Sequence, residues 1–98
     1  MFQLTATQRE TLRAKLSERC ARLRGEIGHA LHGSVAAAEL NAVLEALARM
    51  ESGRYGLCSD CGAPIAFERL LAQPQASRCI RCETERERLR ARPSLPAL

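Results

Sequence analysis

Four of the chain's five cysteines fall into two Cys-x-x-Cys pairs, Cys58 with Cys61 and Cys79 with Cys82, and seventeen residues separate the pairs. Two intervening residues let both thiolates of a pair reach one tetrahedral cation at about 2.3 Å, and a gap of this size lets the second pair return and close the other side. This donor set and spacing predict one structural zinc ion. Four thiolates leave no open coordination position for water or substrate, so a catalytic zinc is not expected. Gly62, directly after the first pair, can take a positive φ and turn backbone N–H groups toward the sulfurs, and Pro64 stiffens the exit. Around a divalent ion the four thiolates carry a net charge of about −2, and Arg54, Arg78 and Arg81 are the cations placed in sequence to offset it.

A chain of this size needs that help. With 98 residues, and one tyrosine and two phenylalanines as its aromatics, it cannot bury a large core. A structural zinc contributes on the order of 10 kcal/mol or more to a small module, so the C-terminal half is expected to be disordered without metal.

Upstream of the cysteines the periodicity is helical. Thr7 and Glu10 have capping-box spacing and open a helix over about residues 7–30. Leu12, Leu16, Cys20, Leu23, Ile27 and either Ala30 or Leu31 form one apolar stripe along it. Cys20, on that stripe, reads as a small buried hydrophobe. Gly28 and Gly33 bracket His29 and His32 and loosen the backbone over 28–34, where a chain reversal is expected. Ser34 then caps a second helix over about 35–52, whose stripe is Leu40, Val43 or Leu44, Leu47 and Met50, and Gly53 ends it. Two amphipathic helices joined by a short turn have one economical arrangement, an antiparallel coiled-coil hairpin with arms of roughly 27–36 Å.

The predicted fold class is therefore mainly α. A helical hairpin in residues 1–53 is joined to a small four-cysteine zinc-finger module in 54–98 that carries a C-terminal helix over about 81–92 and a loose tail. The module should clamp the open end of the hairpin through Tyr55, Leu57, Ile65 and Phe67, with a short helix over Phe67–Ala72 before Pro74. In the C-terminal helix, Glu83, Glu85 and Glu87 each have an arginine three residues later, at Arg86, Arg88 and Arg90, and Ile80 and Leu89 are nearly its only apolar residues. It should be solvated along most of its length, with Pro93 as its stop.

The run from Ala46 to Glu87 resembles the DksA/TraR family of bacterial zinc-finger proteins. The resemblance rests on the acidic-to-glycine helix end followed by Tyr55-Gly56, the Cys58-Ser59-Asp60-Cys61-Gly62 knuckle, Ile65, Arg69-Leu70, Pro74 and the Cys79-Ile80-Arg81-Cys82 knuckle. It implies a four-cysteine finger at the base of a coiled-coil hairpin, in a protein that binds RNA polymerase directly rather than promoter DNA. In family members that regulate transcription the hairpin tip enters the polymerase secondary channel, where acidic tip residues act near the active site. The family's Asp-x-x-Asp-x-Ala tip pattern has no counterpart in residues 28–38. The partner-binding candidates here are Glu26, His29, His32 and Glu39.

The net charge of +4 is mild and interleaved along the chain, which argues against strong electrostatic DNA binding, and the resemblance implies no direct sequence-specific DNA binding. A nucleic-acid-binding finger using Arg69, Arg78, Arg81, Arg86 and Arg90 on phosphates, or a zinc-dependent redox sensor, are the alternative functions. No serine, histidine and carboxylate fall into a catalytic constellation, and an enzyme is not expected. No stretch approaches the roughly 20 apolar residues of a membrane span, and paired thiols with one further cysteine suit the reducing cytoplasm.

Overall fold

The computed structural model describes residues 4–29 and 34–91, which form four helices in the order α1 (Ala6–His29), α2 (Ser34–Glu51), α3 (Phe67–Ala72) and α4 (Ile80–Ala91). Extended pairing among the described residues is limited to one isolated antiparallel bridge, Leu57 with Pro64. The predicted ends of the first stripe, Ala30 and Leu31, together with His32, Pro93 and the tail, lie outside the described residues.

The first helix starts earlier than the predicted capping box. Thr5, not Thr7, caps it: the Thr5 hydroxyl accepts from the Gln8 N–H at 3.0 Å, and Gln8 Oε1 accepts from the Thr5 N–H at 2.9 Å. Thr7 and Glu10 are therefore interior positions of the first turns, and the Thr7 carbonyl takes the Thr11 hydroxyl instead. Both threonines have a partner at the right spacing, and tertiary packing chooses between them. Capping at Thr5 places Leu4 just outside the helix, against Gly56, where an added Cβ would come within 3.2 Å of Leu4 Cδ1. Gly56 also has φ +89, so glycine is required there on both counts.

At its other end α2 stops in a Schellman motif. Gly53 takes φ +78, its N–H donates to the Met50 carbonyl at 3.3 Å, and the Arg54 N–H donates to the Arg49 carbonyl at 2.9 Å. The Tyr55 N–H uses the same Arg49 carbonyl at 3.1 Å, and this tight reversal turns Tyr55 back toward the helices.

The two stripes meet as expected, with Leu12, Leu16 and Leu23 of α1 and Val43, Ala46 and Met50 of α2 buried. Val43, not Leu44, takes the core position, and Leu44 sits on the flank at 37% exposure. Cys20, Leu40 and Leu47 are partly buried against the core. The same cluster continues into the finger through Tyr55, Cys58, Ile65, Leu70 and Ala76. Hairpin and finger thus share one core.

Tyr55, Ile65 and Phe67 contribute to the clamp as predicted, but Leu57 does not: it is 42% exposed. Leu57 sits at the isolated bridge between the buried positions Gly56 and Cys58, with its own side chain turned outward. Arg19 adds a polar tie, reaching from α1 to the Ala72 carbonyl at 3.3 Å and Gln75 Oε1 at 3.4 Å. The part of α1 beyond Arg19 is ten residues, a projection of about 15 Å.

Tyr55 gives a direct probe of this junction. Its hydroxyl donates to the buried Pro74 carbonyl at 2.7 Å, and burial, only partly opposed by nearby Arg49, pushes its pKa up to about 12. A phenol raised in the folded state stabilises the fold fully below its ordinary value of 10.0, and that contribution is lost as pH rises through about 12. Because the chain has one tyrosine and no tryptophan, absorbance at 295 nm is expected to show a single phenolate titration near 12 in folded protein and near 10 in denaturant. Tyr55→Phe should cost about 1–2 kcal/mol by leaving the Pro74 carbonyl unpaired. A folded-state titration near 10 would show the hydroxyl to be solvated.

Candidate metal centre

The first knuckle is built by backbone hydrogen bonds around Cys58. Its N–H donates to the Ala63 carbonyl at 2.7 Å, and its carbonyl accepts from the Gly62 N–H at 2.9 Å. Gly62 closes this turn at φ +78, the conformation its position in the sequence demands. The Ser59 N–H donates to the Ser77 carbonyl at 2.8 Å, which draws the segment entering the second pair against the first. The second knuckle runs directly into α4: Cys79 precedes the helix, and its carbonyl accepts the Glu83 N–H at 2.9 Å.

These two constructions bring the sulfurs of Cys58, Cys61, Cys79 and Cys82 within 4.8 Å of one another. Cys61 Sγ and Cys79 Sγ, from different pairs, are 3.8 Å apart. A tetrahedron with zinc–sulfur bonds of about 2.3 Å has edges of about 3.8 Å, so the quartet fits one zinc ion. Cys58 is buried at 3% exposure, Cys79 and Cys82 are half-buried, and Cys61 faces solvent.

The electrostatics point the same way. Burial pushes the Cys58 thiol up, but the backbone N–H groups of Cys79, Cys61 and Asp60, joined by the Cys61 side chain, outweigh it and bring it down to about 6. The Cys79 thiol is also lowered, first by the backbone N–H of Cys82. Cys82 is pushed up to about 12, first by its contact with the Cys61 sulfur and then by those of Cys79 and Cys58. Backbone dipoles thus stabilise the first thiolates, while each negative charge already present raises the cost of the next. A divalent cation among the sulfurs removes that cost and lets all four be thiolates.

Of the three arginines expected to offset the site's charge, Arg78 lies within it. Its Nε is 3.2 Å from Asp60 Oδ2 and its Nη1 is 3.3 Å from Glu83 Oε1. Arg54 is exposed and directs its Nε to the Ser52 hydroxyl at 3.2 Å. The expected helix pairing of α4 is corrected too. Glu85 with Arg88 forms at 3.1 Å, but Arg86 leaves Glu83 for Asp60 at 3.0 Å, and Arg90 pairs with Glu83 at 3.4 Å. An exposed pair within a helix contributes only about 0.3–0.5 kcal/mol, so a carboxylate held in place by the fold readily takes the arginine instead. Sequence reasoning did not single out Asp60; its position immediately before Cys61, matching Arg78 before Cys79, was the signal. No residue of α4 is fully buried, and Ile80 and Leu89 are 63% and 56% exposed.

The remaining candidates lie at the other end of the hairpin. Glu26 on α1 and Glu39 on α2 are exposed, α1 ends at His29, and His32 lies outside the described residues. No described helix is long and apolar enough to cross a membrane.

Residues 53–88 match the sequence model of the prokaryotic dksA/traR C4-type zinc finger. The RNA polymerase-binding transcription factor DksA of Caulobacter vibrioides is 41% identical over 44 residues, which are 45% of this chain and 31% of that protein. An uncharacterized protein of Haemophilus influenzae is 49% identical over 37 residues, 38% of this chain and 47% of that one. The chain therefore matches less than half the length of these relatives. Among solved structures, transcription factor DksA2 from Pseudomonas aeruginosa superposes with a TM-score of 0.70 at 25% identity, over 89% of this chain and 88% of that one. The RNA polymerase binding protein and transcriptional regulator Dks from Chlamydia trachomatis gives 0.72 at 25% identity, over 93% and 100%. Residues 53–88 are thus a C4 finger of the dksA/traR type, and it closes the base of a helical hairpin with the fold of the DksA2 and Dks structures.

Proposed function

We propose that the protein is a cytoplasmic, non-enzymatic transcription regulator that binds RNA polymerase, with its hairpin (residues 1–53) inserted in the secondary channel and its finger (54–98) holding one structural zinc ion through Cys58, Cys61, Cys79 and Cys82. The observation that carries this reading is the shared core. Because Tyr55, Ile65 and Leu70 of the finger pack with Leu12 and Leu16 of the hairpin, zinc fixes the direction in which a narrow helical rod projects. A rod held that way suits a partner with a deep opening. The tip group is Glu26, His29, His32 and Glu39, and promoter DNA is not itself the ligand.

The nucleic-acid alternative loses support from the pairing of its own residues. Arg78, Arg86 and Arg90 are each engaged by a carboxylate, which leaves less free positive charge for phosphates.

Purified protein is expected to co-elute with core RNA polymerase and to be displaced by another secondary-channel ligand. The double variant Glu26→Ala with Glu39→Ala should alter transcription in vitro while leaving the fold intact. Binding that survives saturation with the competitor would place the hairpin elsewhere on polymerase. No binding at low salt would reject polymerase as the partner.

A further inference from the structure

Asp60, Arg78, Glu83, Arg86 and Arg90 form one continuous ion chain over the metal centre. Its order is Arg86 to Asp60 at 3.0 Å, Asp60 to Arg78 at 3.2 Å, Arg78 to Glu83 at 3.3 Å, and Glu83 to Arg90 at 3.4 Å. The placement in sequence gives it meaning. Asp60 immediately precedes Cys61, Arg78 immediately precedes Cys79, and Glu83 immediately follows Cys82. The chain therefore ties the backbone beside the exposed member of the first pair to the backbone on both sides of the second. Cys61 and Cys79 are the two sulfurs that face each other across the pairs at 3.8 Å.

We propose that this ion chain is a clasp that sets how fast the metal leaves, a reading that rests on the assignment of the four cysteines as zinc ligands. A bound ion held by two knuckles departs in steps, and full release requires that one knuckle separate from the other. Here that separation must also pull Asp60 from Arg78. The central links are sheltered enough to resist: Asp60, Arg78 and Glu83 have side chains only 31%, 27% and 23% exposed. Arg78 Nε is screened from water, and its contact with Asp60 is an ion pair without hydrogen-bond geometry. Three guanidiniums against two carboxylates leave one positive charge beside a thiolate cluster of opposite sign, and that attraction holds the clasp closed against the centre. A groove along α4 leads to Cys82, and Asp60, Arg78 and Arg86 are among its walls. The same groups therefore stand where a competing ligand would approach.

The test is the rate of zinc transfer from the intact holoprotein to a coloured chelator, with metal content measured first. Asp60→Asn keeps the side chain's shape and removes its charge. It should retain one zinc per chain and an unchanged helical spectrum, yet release metal about five- to tenfold faster. Rising salt should bring the wild-type rate toward that of the variant and leave the variant's rate nearly constant, a response that a purely steric role for Asp60 would not give. Arg86→Gln, which cuts an exposed limb of the chain, should release at an intermediate rate and serves in place of Asp60→Asn if that variant does not fold. Glu85→Gln, which breaks only the surface pair with Arg88, should match wild type. Wild-type rates in Asp60→Asn and Arg86→Gln would overturn the clasp. A wild-type protein with no stoichiometric zinc would overturn the ligand assignment instead.

Discussion

Removing zinc, whether by chelation or by Cys58→Ser, is expected to unfold residues 54–82. Apart from the core it shares with the hairpin, the finger has little structure of its own to hold it. Between residues 54 and 79 its regular structure amounts to one isolated bridge and a helix of six residues, and a helix that short is not stable alone. Structural zinc in small modules is worth about 10–16 kcal/mol near neutral pH, whereas a whole domain is stable by about 5–15 kcal/mol. The loss therefore exceeds what the remaining contacts supply. Cys58 is the most buried ligand candidate, so its replacement should act at least as strongly as any other. Amide dispersion in a two-dimensional NMR spectrum should collapse for 54–82 on chelation and return when zinc is restored. Cys20→Ser, on α1 and only partly buried, should keep full zinc content and cost about 1–2 kcal/mol. Metal-free protein, verified by elemental analysis, that kept dispersed amides in 54–82 would show that the cysteines are not what folds the module.

The sequence made the metal quartet and the helical stripes legible because both depend on spacing along the chain. Cys-x-x-Cys geometry is local, and so are the steps that put Leu12, Leu16 and Leu23 on one face. Choices between equivalent local options were not legible. Thr5-Gln8 and Thr7-Glu10 are equally good capping boxes, and only the packing of Leu4 on Gly56 selects the first. Val43 and Leu44 both continued the stripe until the rotation of α2 buried one of them. Arg86 had a partner on its own helix in Glu83, yet Asp60 holds it because the first knuckle brings that carboxylate into reach. In each case a weak local preference yields to a contact between segments that are distant in sequence.

That shared core makes the largest hairpin effect appear at the metal. Leu16 is fully buried, and Leu16→Ala should cost about 2–5 kcal/mol through lost burial and the cavity left behind. If the metal-free chain is already unfolded in its finger, zinc binding is coupled to folding, and a penalty on the folded state reduces the apparent zinc affinity by the same free energy. A loss of about 3 kcal/mol corresponds to a weakening of more than a hundredfold. The substitution should therefore act on metal affinity from a helix that contributes no ligand, as measured by competition with a chelator of known affinity. Leu44→Ala, on the exposed flank of α2, should leave affinity within about threefold. If Leu16→Ala lowered the melting temperature of the helices but left zinc affinity unchanged, hairpin and finger would be independent units, and zinc would have no hold on the direction of the rod.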